Sequence, residues 1–315
     1  MAESLAKTAP RSFRIGTRAS ALALRQAEIV VERLNASDSS LSLEIVPLTT
    51  TGDRQSEASL MEIGGRGVFV TELERALQAG AIDLAVHSLK DVPSQPAEGL
   101  TIAATLPRET PDDVLISRDG LSLRDLPHGA HVGSGSPRRR AQLLAARPDL
   151  QLTNIRGNVD TRLRKTAEGE FDAIVLAAAG LIRLDRLAEA TEILSPEVIL
   201  PAVGQGVLAI ETRADDSAAL VLAAIVDDAP THAAALCERA FQRRLGGGCQ
   251  AAIAALATVN GGSLEIRGLV ADAEGRRFLR GNLSGPADDA EALGRRLAED
   301  LLAQGAADLL EDVRG

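Results

Sequence analysis

A short basic segment, Ser136-Pro137-Arg138-Arg139-Arg140, stands at the start of a predicted helix. Pro137 suits the first helical position, and Ser136 suits the N-cap before it. Cations in this first turn are unfavourable by roughly 0.3–1 kcal/mol each, because the helix dipole already places partial positive charge there. The segment is therefore either a solvated basic turn or a site where N–H groups and guanidinium groups converge on a carboxylate or phosphate.

Arginines recur at other corners that follow predicted strands. These are Arg156 and Arg162 around one corner, Arg18 and Ser20 at a second, and Arg183 after a third. In doubly wound α/β sheets such corners face the ligand crevice at the carboxyl ends of the strands. Four arginine-bearing corners together predict a multiply charged anionic ligand held between two domains.

A lysine and an aspartate, Lys90-Asp91, follow a buried-type strand from Ile82 to Leu89, and Pro93 ends that strand. One interpretation is a surface ion pair or a turn aspartate. The other is an acid inside an arginine-rich crevice, where it stays ionised and can stabilise a cation or move a proton.

Cys249 follows three glycines, which predicts an accessible thiol, although a buried small side chain is the alternative. Cys237 lies within a predicted helix, and we interpret it as a core residue. No cysteine or histidine spacing suggests a metal site, so no metal is expected. The cluster Gly64-Gly65-Arg66-Gly67 matches no nucleotide-binding loop.

Alternating strands and helices position these groups. The predicted elements include a capping box at Thr71 and Glu74, a strand over Leu150–Ile155, a helix over Val159–Ala167 and a later helix that runs through Leu187. Residues 14–106 and 112–200 repeat the same α/β rhythm, whereas residues 218–315 change character. The spacing in that last part predicts a long helix, Thr231 to Leu245, three antiparallel strands and a final helix. The expected fold class is α/β, with two lobes and a small α+β C-terminal domain that carries a three-stranded antiparallel sheet.

The amino-acid composition argues against several classes of function. The 315 residues are 45% hydrophobic and 25% charged, with a net charge of −10, only 2% aromatic residues, and three lysines among 34 basic residues. The negative charge and the scarcity of aromatics argue against nucleic-acid binding. The apolar stretches are too short to span a membrane. The first residues show no signal peptide, and we expect a cytoplasmic location.

Seven ordered segments resemble the porphobilinogen deaminase (hydroxymethylbilane synthase) family. They are GTRASALAL at 16–24, GGRGVFVTELE at 64–74, AVHSLKDVP at 85–93, GSGSPRR at 133–139, IRGNVDTR at 155–162, LPAVGQG at 200–206 and LGGGC at 245–249. The resemblance implies a transferase that joins four porphobilinogen molecules head to tail. Ammonia leaves at each addition, and hydroxymethylbilane is released. The resemblance therefore implies a role in tetrapyrrole and haem biosynthesis.

The resemblance also implies roles for particular residues. Cys249 would carry a dipyrromethane cofactor through a thioether, and Asp91 would be the catalytic aspartate, whose carboxylate stabilises a cation and handles protons. Each pyrrole carries an acetate and a propionate, so many carboxylates must be bound. Cofactor binding is implied for Lys90, Ser136, Arg138 and Arg139, and substrate binding for Arg18, Ser20, Phe69, Arg156, Arg162 and Arg183.

The family fold implies two lobes like periplasmic binding proteins, with a cleft between them and a third domain that presents the cysteine. The implied bounds are 10–106 with 207–222, 107–206, and 223–315. The resemblance further implies a monomer that passes its product to uroporphyrinogen-III synthase. Family members often carry lysines beside the glycine cluster, where this chain has Glu62 and Arg66. The role of the 49–66 loop is therefore left open.

Two other functions are compatible with parts of this pattern. A non-catalytic bilobal organic-anion-binding protein would use the same lobes and arginine corners, but it gives no role to the Gly-Gly-Gly-Cys249 loop. A thiol redox protein is weakly supported, because the chain has no Cys-x-x-Cys motif.

Overall fold

The computed structural model describes residues 12–49, 70–246, 251–272 and 274–311. Within these ranges the strands form two five-stranded sheets and one three-stranded sheet. Helices cover each sheet, so each of the three units buries its own apolar residues.

Lobe 1 is built on the first sheet. Its elements begin with β1 (Ser12–Arg18), α1 (Ala21–Ser37), β2 (Ser42–Leu48), α2 (Thr71–Gln78), β3 (Leu84–Ser88) and β4 (Leu100–Thr105). β1 pairs in parallel with both β2 and β3. A short 3₁₀ turn, Leu89–Asp91, follows β3 and carries the Lys90-Asp91 pair away from the sheet.

Lobe 2 repeats this plan. Its elements are β5 (Asp113–Ser117), β6 (His131–Gly133), α3 (Pro137–Ala146), β7 (Gln151–Thr153), α4 (Val159–Ala167), β8 (Ala173–Ala177), α5 (Ala178–Arg183) and β9 (Glu192–Leu194). The strand order is β7-β6-β8-β5-β9, with β6 parallel to β7 and β8. The carboxyl ends of β6 and β8 therefore lie at one edge, where α3 and α5 begin.

The chain then returns to lobe 1. β10 (Leu208–Arg213) lies between β3 and β4 and is antiparallel to both, and α6 (Ser217–Ala224) packs near it. Two segments thus connect the lobes: one runs from β4 to β5, and the other from β9 to β10. We call them the hinge segments.

Domain 3 follows as α7 (Ala229–Leu245), β11 (Ala252–Asn260), β12 (Ser263–Ala271), β13 (Phe278–Pro286), α8 (Ala290–Ala303) and α9 (Ala306–Glu311). Its core includes Phe241, Leu264 and Leu297. Gly294 allows α8 to approach α7, because a Cβ there would lie 2.0 Å from the Cys237 carbonyl oxygen. Cys237 is fully buried, and burial raises the pKa of its thiol to about 12, which confirms its interpretation as a core residue.

Among the described residues, no single helix is both long and apolar enough to cross a membrane. One pair passes that test jointly, α6 and α7, which meet at an angle of 114°.

Most predicted elements are present, with corrected ends. The helix predicted to run through Leu187 ends at Arg183, because the chain turns at Asp185, whose φ is 55°. The strand predicted over Leu150–Ile155 is only Gln151–Thr153, since its partner β6 has three residues. The capping box predicted at Thr71 is wrong: the residue before α2 is Val70, which makes no side-chain cap bond.

Candidate active site

The turn after β3 brings Asp91 to the surface of a small pocket in lobe 1. Arg18, Ser20, His87 and Asp91 are among the residues that line this pocket of about 50 Å³. Ser20 also caps α1, because its Oγ accepts a hydrogen bond from the Ala23 amide at 3.3 Å. The arginine corner of lobe 1 and the predicted acid therefore face the same space.

In lobe 2 the two arginines after Ser136 are buried and held by a carboxylate. Ser136 caps α3 by accepting from the Arg139 amide. The Asp113 carboxylate lies 2.7 Å from Nη1 of Arg138 and 2.6 Å from Nη2 of Arg139. Burial alone would raise the pKa of Asp113, but the two guanidinium groups outweigh burial and hold this pKa well below its usual range.

The backbone completes the binding of these two side chains. Arg139 donates from Nη1 to the Val175 carbonyl at 2.9 Å, and Arg138 donates from Nη1 to the Leu200 carbonyl at 2.7 Å. The Nε of Arg138 is buried and has no hydrogen-bond partner within the described ranges. A buried donor without a partner costs roughly 1–3 kcal/mol, so a ligand oxygen at this position would be strongly favoured.

Lys90 links the two lobes electrostatically. Burial lowers its pKa to about 8; the Asp91 and Asp113 carboxylates oppose that shift, and Arg139 and Arg138 add to it. Lys90 is therefore close to the arginine pair of lobe 2 as well as to Asp91, its neighbour in lobe 1.

Arg162 belongs to the same cluster. It extends from α4, whose cap is Asn158, and donates from Nε to the Gly157 carbonyl at 2.8 Å. Burial and the charges of Arg139 and Arg156 lower its pKa to about 10, while Asp91 opposes them. In the part of the chain that the structure describes, five cations thus surround two carboxylates: Lys90, Arg138, Arg139, Arg156 and Arg162 around Asp91 and Asp113.

Arg183 is placed differently from the other arginines. It donates from Nη2 to the carbonyl of Gly206 in a hinge segment at 2.7 Å. Burial lowers its pKa to about 10, and the Glu109 carboxylate opposes this shift. The interactions seen for Arg183 are thus with both hinge segments rather than with the cluster around Lys90.

Several contacts that hold the site together were not predicted from the sequence. Asp113 is the first residue of a strand, and Gln205 donates to it from Nε2 at 3.0 Å. Arg108 of the other hinge segment donates to the Gln205 carbonyl and also pairs with Glu238 of α7. Only the three-dimensional fold brings these positions together, since they are widely separated in sequence.

Some of the predicted site residues lie outside the described ranges. These are Phe69 and Cys249, together with Glu62 and Arg66 of the departing loop. The flanks of Cys249 are described. α7 ends at Leu245, with Gly246 at a φ of 72°, and Ala252 packs with Ala141 of α3.

Comparison with known proteins decides the family. A family model described as "Porphobilinogen deaminase, dipyromethane cofactor binding domain" matches residues 13–221, and "Porphobilinogen deaminase, C-terminal domain" matches residues 232–303. The chain belongs to the porphobilinogen deaminase family. It is 51% identical to the porphobilinogen deaminase of Syntrophotalea carbinolica, with 94% of each chain covered. It is 48% identical to that of Roseiflexus castenholzii, with 95% of this chain and 98% of the relative covered.

Among solved structures, the chain shows a weak similarity to a periplasmic binding protein of Salmonella typhimurium, which is described as having high arginine specificity. That protein is 14% identical, with a TM-score of 0.39, and the match covers 69% of this chain and 92% of the other. The two-lobed α/β arrangement expected from the sequence is present in this chain itself.

Membership of the porphobilinogen deaminase family establishes the activity. The protein is a transferase, a hydroxymethylbilane synthase, and it works with a dipyrromethane cofactor. It joins four porphobilinogen molecules and releases ammonia. The names of the relatives do not favour a non-catalytic anion-binding protein.

The described residues fit such a cofactor. A dipyrromethane that bears an acetate and a propionate on each ring presents four carboxylates. The cleft offers a surplus of buried cations, and the buried Nε of Arg138 still has a hydrogen bond to donate. Guanidinium groups bind carboxylates with two parallel hydrogen bonds, so this donor set matches the group in both charge and geometry.

Proposed function

We propose that Asp91 is the catalytic carboxylate and that Cys249 carries the dipyrromethane through a thioether. The single observation that carries this proposal is the place of Asp91, between an open pocket and a cluster rich in buried cations. That arrangement places the Asp91 carboxylate between two groups of arginines that could hold the carboxylates of a substrate.

The cofactor site consists of Lys90, Ser136, Arg138 and Arg139. When bound, the dipyrromethane supplies the pyrrole carbon at which the chain grows. Arg139 and Arg138 are held in place by Asp113, so they require little rearrangement before they bind a carboxylate. The Nε of Arg138, buried and without a partner among the described residues, would be available to a cofactor carboxylate, and Lys90 would contribute its charge from lobe 1.

The assignment of Cys249 is supported by the described residues that follow it in the chain. Ala252, three residues later, packs against Ala141, which lies one turn beyond Arg138 in α3. The turn between β12 and β13 also contacts α3 closely, because a Cβ on Gly275 would lie 2.1 Å from the Ala141 carbonyl oxygen. Domain 3 is thereby docked beside the arginine pair.

The substrate site would use the remaining predicted residues. These are Arg18, Ser20, Phe69, Arg156, Arg162 and Arg183. Arg18 and Ser20 line the pocket with Asp91, and Arg162 of lobe 2 interacts electrostatically with the Asp91 carboxylate. A substrate bound by its acetate and propionate between these arginines would present its pyrrole N–H to Asp91.

Asp91 would act on the charge that develops in the substrate. When the amino group of porphobilinogen leaves as ammonia, the methylene carbon stays on the pyrrole, and the positive charge left by the broken C–N bond is shared between this carbon and the ring. A carboxylate beside the ring N–H stabilises that charge, and it does so most effectively where water is largely displaced. The arginines orient the substrate, so that Asp91 meets the ring rather than the side chains.

The remaining expectations rest on the family resemblance. We infer a cytoplasmic monomer that passes its product to uroporphyrinogen-III synthase. We also infer three domains, with bounds at 10–106 plus 207–222, 107–206, and 223–315. The position of β10 in the first sheet supports the discontinuity of the first domain.

The test is Asp91→Asn, with Asp300→Asn on the exposed face of α8 as the matched control. Asparagine keeps the shape and removes the charge, so we expect turnover to fall by roughly 100- to 1,000-fold. The control should retain wild-type turnover. Purified Asp91→Asn protein should remain folded and still bind porphobilinogen.

Mass spectrometry of the same preparations tests the covalent attachment. Intact wild-type protein should carry two extra pyrrole units, and peptide mapping should place them on Cys249 and not on Cys237. Near-normal turnover by Asp91→Asn would remove Asp91 from the mechanism. A modified Cys237 peptide, with Cys249 unmodified, would overturn the attachment site.

A further inference from the structure

A buried arginine of domain 3 holds the backbone that follows Asp91. Arg239, in α7, is 6% exposed. Its Nη2 donates to the Pro93 carbonyl at 2.8 Å and to the Ser94 carbonyl at 3.4 Å, and its Nη1 donates to the Val92 carbonyl at 3.3 Å. One guanidinium thus binds three successive carbonyls, the first of them one residue after Asp91.

The environment of Arg239 is unusual for a buried cation. Within the described ranges its hydrogen bonds go to carbonyl oxygens, and it forms no ion pair. Burial and the charge of Arg243 lower its pKa to about 10, and the Glu211 carboxylate opposes this shift. Arg243 and Arg244 on the same helix are exposed and pair with Glu291 and Glu299. Burying a charge without a carboxylate is costly, so the side chain must serve the segment that it binds.

The same face of α7 holds this segment one turn earlier. Ala235 packs in one apolar cluster with Leu89 and Val92, on either side of the Lys90-Asp91 pair. A hinge segment closes the other side, because the Leu89 amide donates to the Val207 carbonyl at 3.0 Å. The turn that carries Asp91 is therefore fixed by α7 and the hinge rather than by its own lobe alone.

We propose that Arg239 is a positioning residue for Asp91. By holding the carbonyls of residues 92–94, it sets the orientation of the turn and keeps the Asp91 carboxylate in the cleft. α7 continues to Leu245, four residues before Cys249, so one rigid helix would set both the acid and the start of the cofactor loop. This inference rests on the role of Asp91 proposed above.

The inference predicts a loss in the chemical step and little change in substrate binding. Arg239→Gln shortens the donor group and removes its charge, and the Asp91 turn can then shift. A misplacement of about 1 Å can cost as much as 100-fold, so we expect kcat to fall roughly 10- to 100-fold. KM should stay within about twofold, because the arginines that hold the substrate carboxylates lie on other elements.

Two variants serve as comparisons. Arg244→Gln removes an exposed arginine from the same helix and should leave kcat unchanged. Arg239→Lys retains the charge but lacks the planar group that reaches three carbonyls, so its loss should be intermediate. If Arg239→Gln does not fold, Arg239→Lys carries the test. Thermal unfolding of each variant shows which proteins are folded.

Amide hydrogen exchange supplies a readout that is independent of activity. In Arg239→Gln, the amides of residues 89–92 and of Ser94 should exchange faster than in the wild type, and in Arg244→Gln they should not. Unchanged exchange in folded Arg239→Gln protein would show that the arginine does not hold this turn.

A double-mutant cycle separates positioning from general structural support. In Asp91→Glu the carboxylate is already displaced by one methylene. Arg239→Gln should therefore cost less than about threefold in that background, against 10-fold or more in the wild type. Equal factors in both backgrounds, or wild-type kcat in Arg239→Gln, would overturn the positioning role. Turnover by Asp91→Asn would instead overturn the role of Asp91 itself, so the two failures can be told apart.

Discussion

Ser20 in lobe 1 and Ser136 in lobe 2 cap helices that begin at equivalent corners, and both corners carry arginine. In lobe 2, Arg138 and Arg139 are buried and tied to Asp113. In lobe 1, Arg18 lines an open pocket and is only half-buried. The same local design therefore produces a closed cationic site in one lobe and an accessible one in the other.

The difference matches the two kinds of ligand that the enzyme must hold. A permanent cofactor benefits from cations that are fixed in place before binding, because little side-chain freedom is then lost. A substrate that enters and leaves repeatedly needs a site open to solvent. We therefore expect the lobe 2 corner to govern cofactor retention and the lobe 1 corner to govern turnover.

The largest effect in this comparison should follow from Asp113→Asn. The change leaves two buried guanidinium groups without their carboxylate, and breaking a buried pair in this way costs about 3–5 kcal/mol. We expect a lower free energy of unfolding, measured in denaturant. Intact mass should also show a reduced share of protein carrying the two pyrrole units.

Asp112→Asn is a matched control. Asp112 is the neighbour of Asp113 in the chain, but its carboxylate accepts a hydrogen bond from the Thr110 hydroxyl rather than from the arginine pair. It should unfold within about 1 kcal/mol of the wild type. If Asp113→Asn kept both its stability and a full cofactor load, the arginines of lobe 2 would not depend on this carboxylate.

Local patterns predicted the corners but not what holds them. Ser136 as a cap, Pro137 at the first helical position and helix α4 over Val159–Ala167 are all present, because capping and helical periodicity act over a few residues. Asp113, Glu238 and Arg239 carried no such signal. Their partners lie 19 to 147 positions away, and only the packing of the three units brings them together.

Strand β10 is a second feature that local sequence patterns could not predict. Leu208–Arg213 follows a long excursion through lobe 2 and then enters the middle of the lobe 1 sheet. Periodicity alone did not predict this strand or β4, its neighbour. The family resemblance indicated the return to domain one, since it compares whole chains rather than short windows.

The next effect contrasts Arg138→Leu with Arg18→Leu. The first removes a buried donor of the closed site, so we expect loss of the two pyrrole units from the intact mass. The second leaves the closed site untouched, so the cofactor should remain while kcat/KM falls roughly 10- to 100-fold, the worth of one charge-assisted bond. Intact mass and steady-state kinetics on both proteins measure the two outcomes.

The reverse pattern would contradict the division between the lobes. A full cofactor load in Arg138→Leu, together with cofactor loss in Arg18→Leu, would place the cofactor carboxylates in lobe 1. Equal losses in both variants would mean that the cofactor spans the two corners.

The smallest effect concerns the two caps. Ser20→Ala and Ser136→Ala each remove one hydrogen bond to a first-turn amide, and each should lower the free energy of unfolding by about 1 kcal/mol. Their functional consequences should differ. The amide that Ser136 caps belongs to Arg139, so Ser136→Ala should slow cofactor assembly in apoenzyme given porphobilinogen, while Ser20→Ala should raise KM. Denaturant unfolding and the time course of mass gain measure these effects, and threonine at either position should restore them, because its hydroxyl can cap the same amide.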